Sequence, residues 1–471
     1  MSVSNTASSV LANRLFFSIR PTTWVSPRPN RLPTIGVSPY ENPVAKIMAK
    51  VNILLATTAV LSLAACQEAK KTDWITHALD VSAYQLESVA QELTDTNLLP
   101  RSSWTYHDDG FLVEQLGHMV VKSDDPLEVY SVRDLQGQRR ECPISDWTSG
   151  FFPGSLWYAY ELTGNEELKK QAVRYTNMLY PIRVLEGTHD LGFMINCSYG
   201  NALRLAHNDT ISSVIVETAD ALCKRFDPNI GCIRSWDFGT WNYPVIIDNM
   251  MNLEILFNAS EMTGNNKYYD VAVAHAKTTM QHHFRPDYTC YHVVSYNDDG
   301  TVEKRETHQG KNDNSAWSRG QGWAVYGYAS CYRETKDTVF LNQAIRVADM
   351  IMARVQTNDS IPYWDYDAPA KVDTPRDASA ACITASAFME LSTFVPDGQK
   401  YFNYAETLLR NLSAPGYLAK KGENWGFILM HSTGSLPHNS EVDTPINYAD
   451  YYYLEAMKRY LDIKKQVGRL L

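Results

Sequence analysis

The sequence predicts an all-α fold, an (α/α)6 toroid of six helical hairpins with a short β-hairpin loop at one mouth. Three observations predict it: apolar and amphipathic helices alternate along the chain, a Thr-Gly-Asn motif repeats at the turn of two hairpins, and six helices of each kind can be counted. Helices that are apolar on every side belong to a buried layer, whereas helices with one charged face belong to an outer layer. An open helical solenoid is the alternative arrangement.

The repeated hairpin is clearest in two segments. LWYAYELTGNEELKKQAVRYTNML from Leu156 and LEILFNASEMTGNNKYYDVAVAHAKTTM from Leu253 each join an apolar helix to an amphipathic one. Gly164 and Gly264 suit the left-handed residue that closes a helix. Inner helices are predicted near 148–162, 195–206, 248–262, 319–334, 377–393 and 446–461. Outer helices are predicted near 165–180, 210–225, 266–283, 337–356 and 399–412, and a helix near 75–95 pairs with the last inner one. Around Asp299-Gly300, residues 287–318 predict strand-turn-strand.

A signal for export precedes this domain. Residues 48–66, MAKVNILLATTAVLSLAAC, have a basic start, an apolar stretch too short to span a bilayer, and small residues before Cys66. The ending resembles a bacterial lipobox, whose cysteine is lipidated and becomes the mature N-terminus. We interpret residues 1–65 as an extension from a start codon assigned too early plus a lipoprotein signal peptide, with translation from Met48. Residues 66–471 are then one catalytic (α/α)6 domain in the periplasm, which meets the membrane only through a lipid anchor.

Composition excludes several classes of protein. The net charge is −10 and no run of Lys and Arg occurs, which argues against a nucleic-acid partner. The cysteines after Cys66 form no Cys-x-x-Cys pair and the chain has no His-Glu-x-x-His motif, so neither a disulfide framework nor a metal site is expected. The small or apolar neighbours of four cysteines predict buried thiols: Cys142, Cys197, Cys331 and Cys382.

Carboxylates gather where inner helices are predicted to begin. If these helices run parallel, their N-termini share one mouth of the toroid. Asp248 heads the apolar stretch PVIIDNMMNLEIL, and Asp190 lies in a loop before another inner helix. An unpaired buried carboxylate is costly and its pKa rises, so Asp248 either caps its helix or uses the raised pKa. Asp443 is interpreted as an N-cap, and for Asp377 a cap and a site role both stay open.

Paired carboxylates facing a pocket are typical of acid/base chemistry on sugars. Four tryptophans near the same mouth would supply stacking faces for sugar rings, with core packing as the alternative for each. They are Trp147, Trp236, Trp317 and Trp323.

Five motifs in this order carry a family resemblance: DWTSGFFPGSLW, THDLGF, IIDNMMNLEIL, THQGKNDNSAWSRGQGWAVYG and DASAACITASAFMEL. Together they resemble the unsaturated glucuronyl hydrolases of glycoside hydrolase family 88, over roughly residues 74–462. The unsaturated rhamnogalacturonyl hydrolases of family 105 share the toroid, but the His189-Asp190 pair and the SAWSRGQGW stretch favour family 88.

The resemblance implies an (α/α)6 barrel without a metal or organic cofactor. It implies a hydrolase that hydrates the C4=C5 bond of the terminal unsaturated uronic acid in lyase-generated oligosaccharides. Asp248 matches the general acid/base, and Asp190 matches the second essential carboxylate. The planar Arg319 would pair with the uronate carboxylate. Residues that match the lining of the uronate subsite are His189, Gln309, Trp317, Arg319 and Trp323, with Trp147, Trp236 and His292 as further matches.

Three other readings stay open beside family 88 and family 105. A polysaccharide lyase or a sugar epimerase could use the same toroid, but either would rely on His and Tyr as base rather than on paired Asp. A lipid-anchored sugar-binding protein would need the tryptophans but not Asp248.

The lipobox generates a testable prediction. We expect the protein extracted from membranes to begin at a lipidated Cys66, because the small residues before the cysteine suit the signal peptidase. Intact-mass spectrometry checks this, with a Cys66→Ser variant as the control that should not acquire lipid. A mature N-terminus at any other residue would refute the prediction.

Overall fold

Twelve α-helices carry the fold within the part of the chain that the structure describes. The structure is a computed structural model and describes residues 74–93, 98–104 and 138–470. The expected start at Met48, the signal peptide and the lipidated Cys66 lie outside the described residues. Among the described residues, no helix combines the length and the apolar character that crossing a bilayer requires.

The helix bounds follow the sequence prediction closely. In chain order the helices are α1 (74–92), α2 (Phe151–Thr163), α3 (Glu166–Met178), α4 (Asn201–Ala206), α5 (Asp209–Cys223), α6 (Glu254–Thr263), α7 (Asn266–His282), α8 (Ser318–Thr335), α9 (Thr338–Arg354), α10 (Ala378–Ser392), α11 (Gln399–Leu412) and α12 (Asn447–Leu470). The strands are β1 (Leu98–Ser103), β2 (Arg139–Pro143), β3 (Phe226–Asp227), β4 (Cys232–Ile233), β5 (Pro244–Ile246), β6 (Val293–Tyr296) and β7 (Val302–Glu306).

The inner helices close into a ring. Helix α2 packs on the π-helical segment Gly192–Gly200 that leads into α4, and this segment packs on the 3-10 turn Ile247–Asn252 that leads into α6. The 3-10 turn contacts α8, which contacts α10; α10 contacts α12, and α12 returns to α2. The toroid prediction is confirmed, and this contact between the last and first inner helices excludes the open solenoid.

An outer layer of amphipathic helices surrounds the ring. Helices α3, α7, α9 and α11 each pack on the inner helix of their own hairpin. Helix α1 completes the layer, because its Trp74 ring lies 6.0 Å from the Tyr460 ring of α12. Tyr175 of α3 also donates to the Ala90 carbonyl of α1 at 3.1 Å.

Two inner helices begin irregularly, which the sequence did not predict. In the π-helical segment, the Phe193 amide donates to Asn252 Oδ1 at 2.9 Å, so a neighbouring helix start replaces part of the regular bonding. Gly192 permits this contact, because a Cβ there would lie 2.5 Å from the Asn252 Cα. Both irregular starts face the same mouth of the toroid.

A layer of buried polar groups crosses the barrel about two turns below the helix starts. Glu455 of α12 accepts hydrogen bonds from Tyr158 at 3.0 Å, from Tyr326 at 2.9 Å and from Ser386 at 2.6 Å. Arg459 lies 3.6 Å from the same carboxylate. The layer therefore ties α2, α8, α10 and α12 together through one side chain.

The predicted β-hairpin is present at the mouth. Strands β6 and β7 pair antiparallel around a turn in which Gly300 has a φ of 81°. Strand β5 adds to β6 and leads directly into the turn that carries Asp248. The four predicted buried thiols are confirmed, since Cys142, Cys197, Cys331 and Cys382 are all free and buried.

Candidate active site

The inner helices begin around a cavity of about 600 Å³. Its wall includes most of the residues that the sequence singled out, namely Trp147, His189, Asp190, Trp236, Asp248, Gln309 and Arg319. The remaining three, His292, Trp317 and Trp323, are buried and lie behind the wall. The expected gathering of acidic, basic and aromatic residues at one mouth is therefore present.

Asp248 lies in the 3-10 turn Ile247–Asn252, directly after β5. The residue at the N-cap position of this turn is Ile246, and no side chain caps the turn. The Ile247 amide donates to the His292 carbonyl at 3.0 Å, which anchors the turn to β6. Asp248 is therefore not a helix cap, and the first of the two readings of this residue is excluded.

The Asp248 carboxyl is buried without a full set of partners. The residue is 7% exposed, and its Oδ2 has no hydrogen-bond partner. Burial raises the pKa of Asp248 from its ordinary 3.8 to about 7; the charge of Arg319 opposes the rise and that of Asp190 adds to it. A carboxyl with this pKa is half protonated near neutral pH, as a group that both donates and accepts a proton must be.

The ring of His292 lies beside this carboxyl. Its Nδ1 accepts hydrogen bonds from the backbone amides of His308 and Gln309, each at 3.1 Å, so Nδ1 carries no proton. Burial lowers the pKa of His292 well below its ordinary value, and the neutral ring therefore carries its proton on Nε2. Nε2 lies 3.5 Å from Asp248 Oδ2.

The second carboxylate, Asp190, lies on the adjacent wall. Thr188 donates its hydroxyl to Asp190 Oδ2 at 2.9 Å, and the Asp190 amide donates back to the Thr188 hydroxyl at 3.0 Å. His189 Nε2 lies 3.2 Å from Asp190 Oδ1. Burial lowers the pKa of His189, while the Asp190 charge opposes the change. This wall thus combines a carboxylate with a histidine whose neutral form is favoured by burial.

Arg319 lines the cavity, but much of its guanidinium is already engaged. Nη1 donates to Asp377 Oδ2 at 2.7 Å and to the Thr433 carbonyl at 2.6 Å, and Nη2 donates to the Gly434 carbonyl. Asp377 also caps α10 through the amides of Ser379 and Ala380. Both readings of Asp377 therefore apply, since one carboxylate caps a helix and holds Arg319.

The four tryptophans divide into two pairs. Trp147 and Trp236 line the cavity and are partly exposed. Trp317 is 3% exposed and lies against the His292 ring at 4.6 Å, whereas Trp323 is 0% exposed and packs on Phe193. The latter pair presents no face to the cavity. This corrects the expectation of four stacking faces, because two rings support the wall from behind.

Asp443 also departs from its predicted role. Helix α12 begins at Asn447, so Asp443 is too far away to cap it. Its Oδ1 lies 2.6 Å from His431 Nδ1 in a segment where Asp443 has a φ of 53°. The carboxylate therefore belongs to the loop before α12.

The structure adds residues that sequence reasoning missed. Arg101 of β1 reaches the cavity and pairs with Glu441 at 2.7 Å and with Asp146. Burial of Glu441 opposes ionisation, but the charges of Arg101 and Arg140 prevail and lower its pKa to about 2. These residues come from distant segments, and no local motif marks them.

Aromatic residues form a further part of the wall that was missed. The exposed Phe238 stacks on Trp236 with ring centroids 5.0 Å apart, and His308 contacts the same tryptophan. Tyr448 lines the opposite wall beside Trp147. The short sequence WDF at 236–238 could have indicated the stack of Trp236 and Phe238. Within the described ranges, no group of three or more His, Cys, Asp or Glu side chains is placed to hold a metal ion.

Known proteins share this sequence and architecture. A family model described as Glycosyl Hydrolase Family 88 matches residues 128–458, and a model described as a domain of unknown function matches residues 48–118. The chain is 46% identical over 322 residues to an unsaturated glucuronyl hydrolase of Formosa agariphila, a match that spans 67% of this chain and 80% of the relative.

Solved structures agree with these sequence matches. The crystal structure of an unsaturated glucuronyl hydrolase specific for heparin superimposes with a TM-score of 0.75 at 47% identity, covering 83% of this chain and 98% of the other. A variant unsaturated glucuronyl hydrolase of Streptococcus agalactiae complexed with dGlcA-GalNAc6S superimposes with a TM-score of 0.66 at 25% identity, covering 82% of this chain and 92% of the other.

The pKa of Asp248 generates a prediction about stability. The folded pKa of about 7 lies above the ordinary 3.8, so the stability contributed by this proton is fully present below about pH 4 and lost as the pH rises through about 7. Asn does not titrate. We therefore expect the unfolding free energy of Asp248→Asn, relative to the parent, to rise by about 3 kcal/mol between about pH 5 and about pH 8, which thermal melts at the two pH values measure. An equal difference at both pH values would place the carboxyl at an ordinary pKa.

The contacts of Arg319 generate a second prediction. Arg319→Lys keeps the charge but cannot reach Asp377 and two carbonyls at once, so we expect the unfolding free energy to fall by about 3 kcal/mol. Arg354→Lys is the control, because Arg354 pairs at the surface with Asp287 and Asp367 and should lose less than about 1 kcal/mol. Denaturant titration measures both. Parental stability in Arg319→Lys would mean that the guanidinium fork does not hold the Thr433–Gly434 segment.

Proposed function

The chain belongs to glycoside hydrolase family 88, and we propose that it removes the terminal 4,5-unsaturated uronic acid from oligosaccharides produced by polysaccharide lyases. One observation carries the proposal. The carboxyl of Asp248 lines the cavity, has one buried oxygen without a hydrogen-bond partner, and has a pKa of about 7. Protonating a carbon atom requires such an acid, since an ordinary carboxyl is ionised at neutral pH.

In the proposed reaction, Asp248 acts first as acid and then as base. Its proton is transferred to C4, and the resulting carboxylate takes a proton from a water molecule whose oxygen bonds to C5. The product of this hydration is a hemiketal at C5. When the hemiketal opens, C1 is left as a hemiacetal, which releases the neighbouring sugar and becomes an aldehyde. Water is consumed and Asp248 ends protonated, so the cycle is balanced.

The neighbours of Asp248 support each step. Burial raises the pKa of the acid to about 7, and the charge of Asp190 adds to this rise while that of Arg319 opposes it. His292 Nε2 lies 3.5 Å from Asp248 Oδ2, so its N–H is close to the carboxylate that forms after proton transfer. Arg319 also places positive charge at the cavity, where an anionic uronate would bind.

The proposed substrates are fragments of glycosaminoglycans or similar acidic polysaccharides. One relative is described as specific for heparin, and another was solved with dGlcA-GalNAc6S. Both Trp147 and Trp236 offer partly exposed rings in the cavity for stacking on sugar faces. A panel of unsaturated disaccharides, followed by loss of the ultraviolet absorbance of the double bond, compares these substrates directly.

The location of the enzyme is a separate proposal. We propose that it is a lipoprotein anchored through Cys66 and facing the periplasm. The lipobox-like ending at residues 63–66 supports this reading. Oligosaccharides released outside the inner membrane would then reach the enzyme without crossing that membrane.

Replacing Asp248 tests the proposed chemistry. An amide has no acidic proton to donate, so Asp248→Asn should lose activity by at least about a hundredfold while it still binds the substrate. Turnover of an unsaturated disaccharide and calorimetric binding measure the two properties. An active Asp248→Asn enzyme would move the acid elsewhere, with Asp190 as the next candidate.

Asp450→Asn is the matched control. Burial raises the pKa of Asp450 to about 8, but its two oxygens accept from the amides of Ile428 and Leu429, away from the cavity. Asp450→Asn should therefore keep its activity per folded molecule, even if its melting temperature falls. Equal losses of activity in both variants would point to damage to the fold.

A further inference from the structure

Two walls of the cavity come from different hairpins of the toroid. The acidic wall contains Thr188, His189 and Asp190, in the loop before the π-helical segment. The aromatic wall contains Trp236 and Phe238, in the loop between β4 and β5. The space between these loops decides whether a sugar ring can contact both walls.

A single guanidinium lies between the two loops. Arg225 follows the end of α5 and is absent from the cavity lining, and its side chain is 8% exposed. On one side, its Nη1 donates to the Glu186 carbonyl at 2.8 Å, in the loop that carries Asp190.

On the other side, Arg225 makes four contacts with the aromatic loop. Nε donates to the Arg234 carbonyl at 2.8 Å, and Nη2 donates to the Ser235 carbonyl at 3.4 Å. Nη1 and Nη2 also form a bidentate pair with Asp237, at 2.9 and 3.0 Å. All five N–H donors of the guanidinium are thus directed at the two loops.

We infer that Arg225 is a positioning residue that sets the distance between the acidic and aromatic walls and thereby the fit of the sugar. The inference rests on the proposed function. The ion pair itself contributes little to stability, because Asp237 is 51% exposed. The fork geometry is what joins three backbone carbonyls and a carboxylate, and a lysine cannot reproduce it.

Kinetics with an unsaturated disaccharide test the inference. We expect Arg225→Gln to raise KM about tenfold or more while kcat changes by less than about threefold, because Arg225 donates to neither Asp248 nor Asp190. Arg225→Lys should fail to restore KM. Lys224→Gln is the matched control, since it removes the adjacent positive charge, whose exposed partner is the Glu186 side chain, and should leave KM unchanged.

A second readout does not depend on turnover. In protein labelled with 5-fluorotryptophan, the Trp236 resonance is assigned by its loss in Trp236→Phe. We expect this fluorine resonance to shift or broaden in Arg225→Gln and in Arg225→Lys but not in Lys224→Gln. If the parent fails to hydrolyse unsaturated disaccharides, the proposed function fails and the fluorine signal still tests the position of Trp236.

Two outcomes would overturn the inference. One is parental KM in a folded Arg225→Gln or Arg225→Lys. The other is an unchanged Trp236 resonance in the same variants. If Arg225→Gln does not fold, the same measurements on Arg225→Lys and Asp237→Asn test the inference. Each of these variants keeps part of the hydrogen bonding but breaks the bidentate pair.

Discussion

Closure of the inner ring is the constraint on which the rest of the structure depends. Because α12 returns to α2, the inner helices are forced to begin around one opening, and loops far apart in sequence meet there. Asp190, Asp248 and Arg319 precede or begin three different inner helices, yet they interact electrostatically. An open arrangement of the same hairpins would leave these side chains on separate ridges. The chemistry therefore depends on a global feature of the fold that no single hairpin contains.

The carboxylates at the mouth of this ring are buried, but they differ in how many hydrogen-bond partners compensate for the loss of water. The carboxylates of Asp377 and Glu441 are surrounded by donors, whereas Asp248 keeps an unpartnered oxygen. The cost of burial therefore falls on Asp248 and on the two histidines beside the carboxylates, His189 and His292, whose buried nitrogens also lack partners. A stabilising change at Asp248 would remove the property that makes the group useful, which is the usual conflict between stability and activity in an enzyme site.

Much of this architecture was predictable from the sequence, because helix periodicity and the Gly164 and Gly264 turns are local signals. Asp248 and Asp190 were identified through motifs and through the cost of a buried carboxylate. The roles of Trp317 and Trp323 could not be predicted, because an inner helix is apolar on every side. Its sequence pattern does not reveal which face meets the cavity. The π-helical start and the Arg101–Glu441 pair arise from contacts between distant segments, which leave no local pattern.

The layer around Glu455 determines how the substrate enters the barrel and how the products leave it. Hydrogen bonds from Tyr158, Tyr326 and Ser386 join four inner helices below the cavity, and Trp323 and Tyr452 pack between this layer and the mouth. Along the barrel axis, the described residues thus form a blind end. A polymer cannot be threaded through such a barrel and must approach Asp248 from the mouth. The released sugar and the shortened chain must therefore both leave through the mouth of the toroid. Both products must dissociate before the next substrate binds.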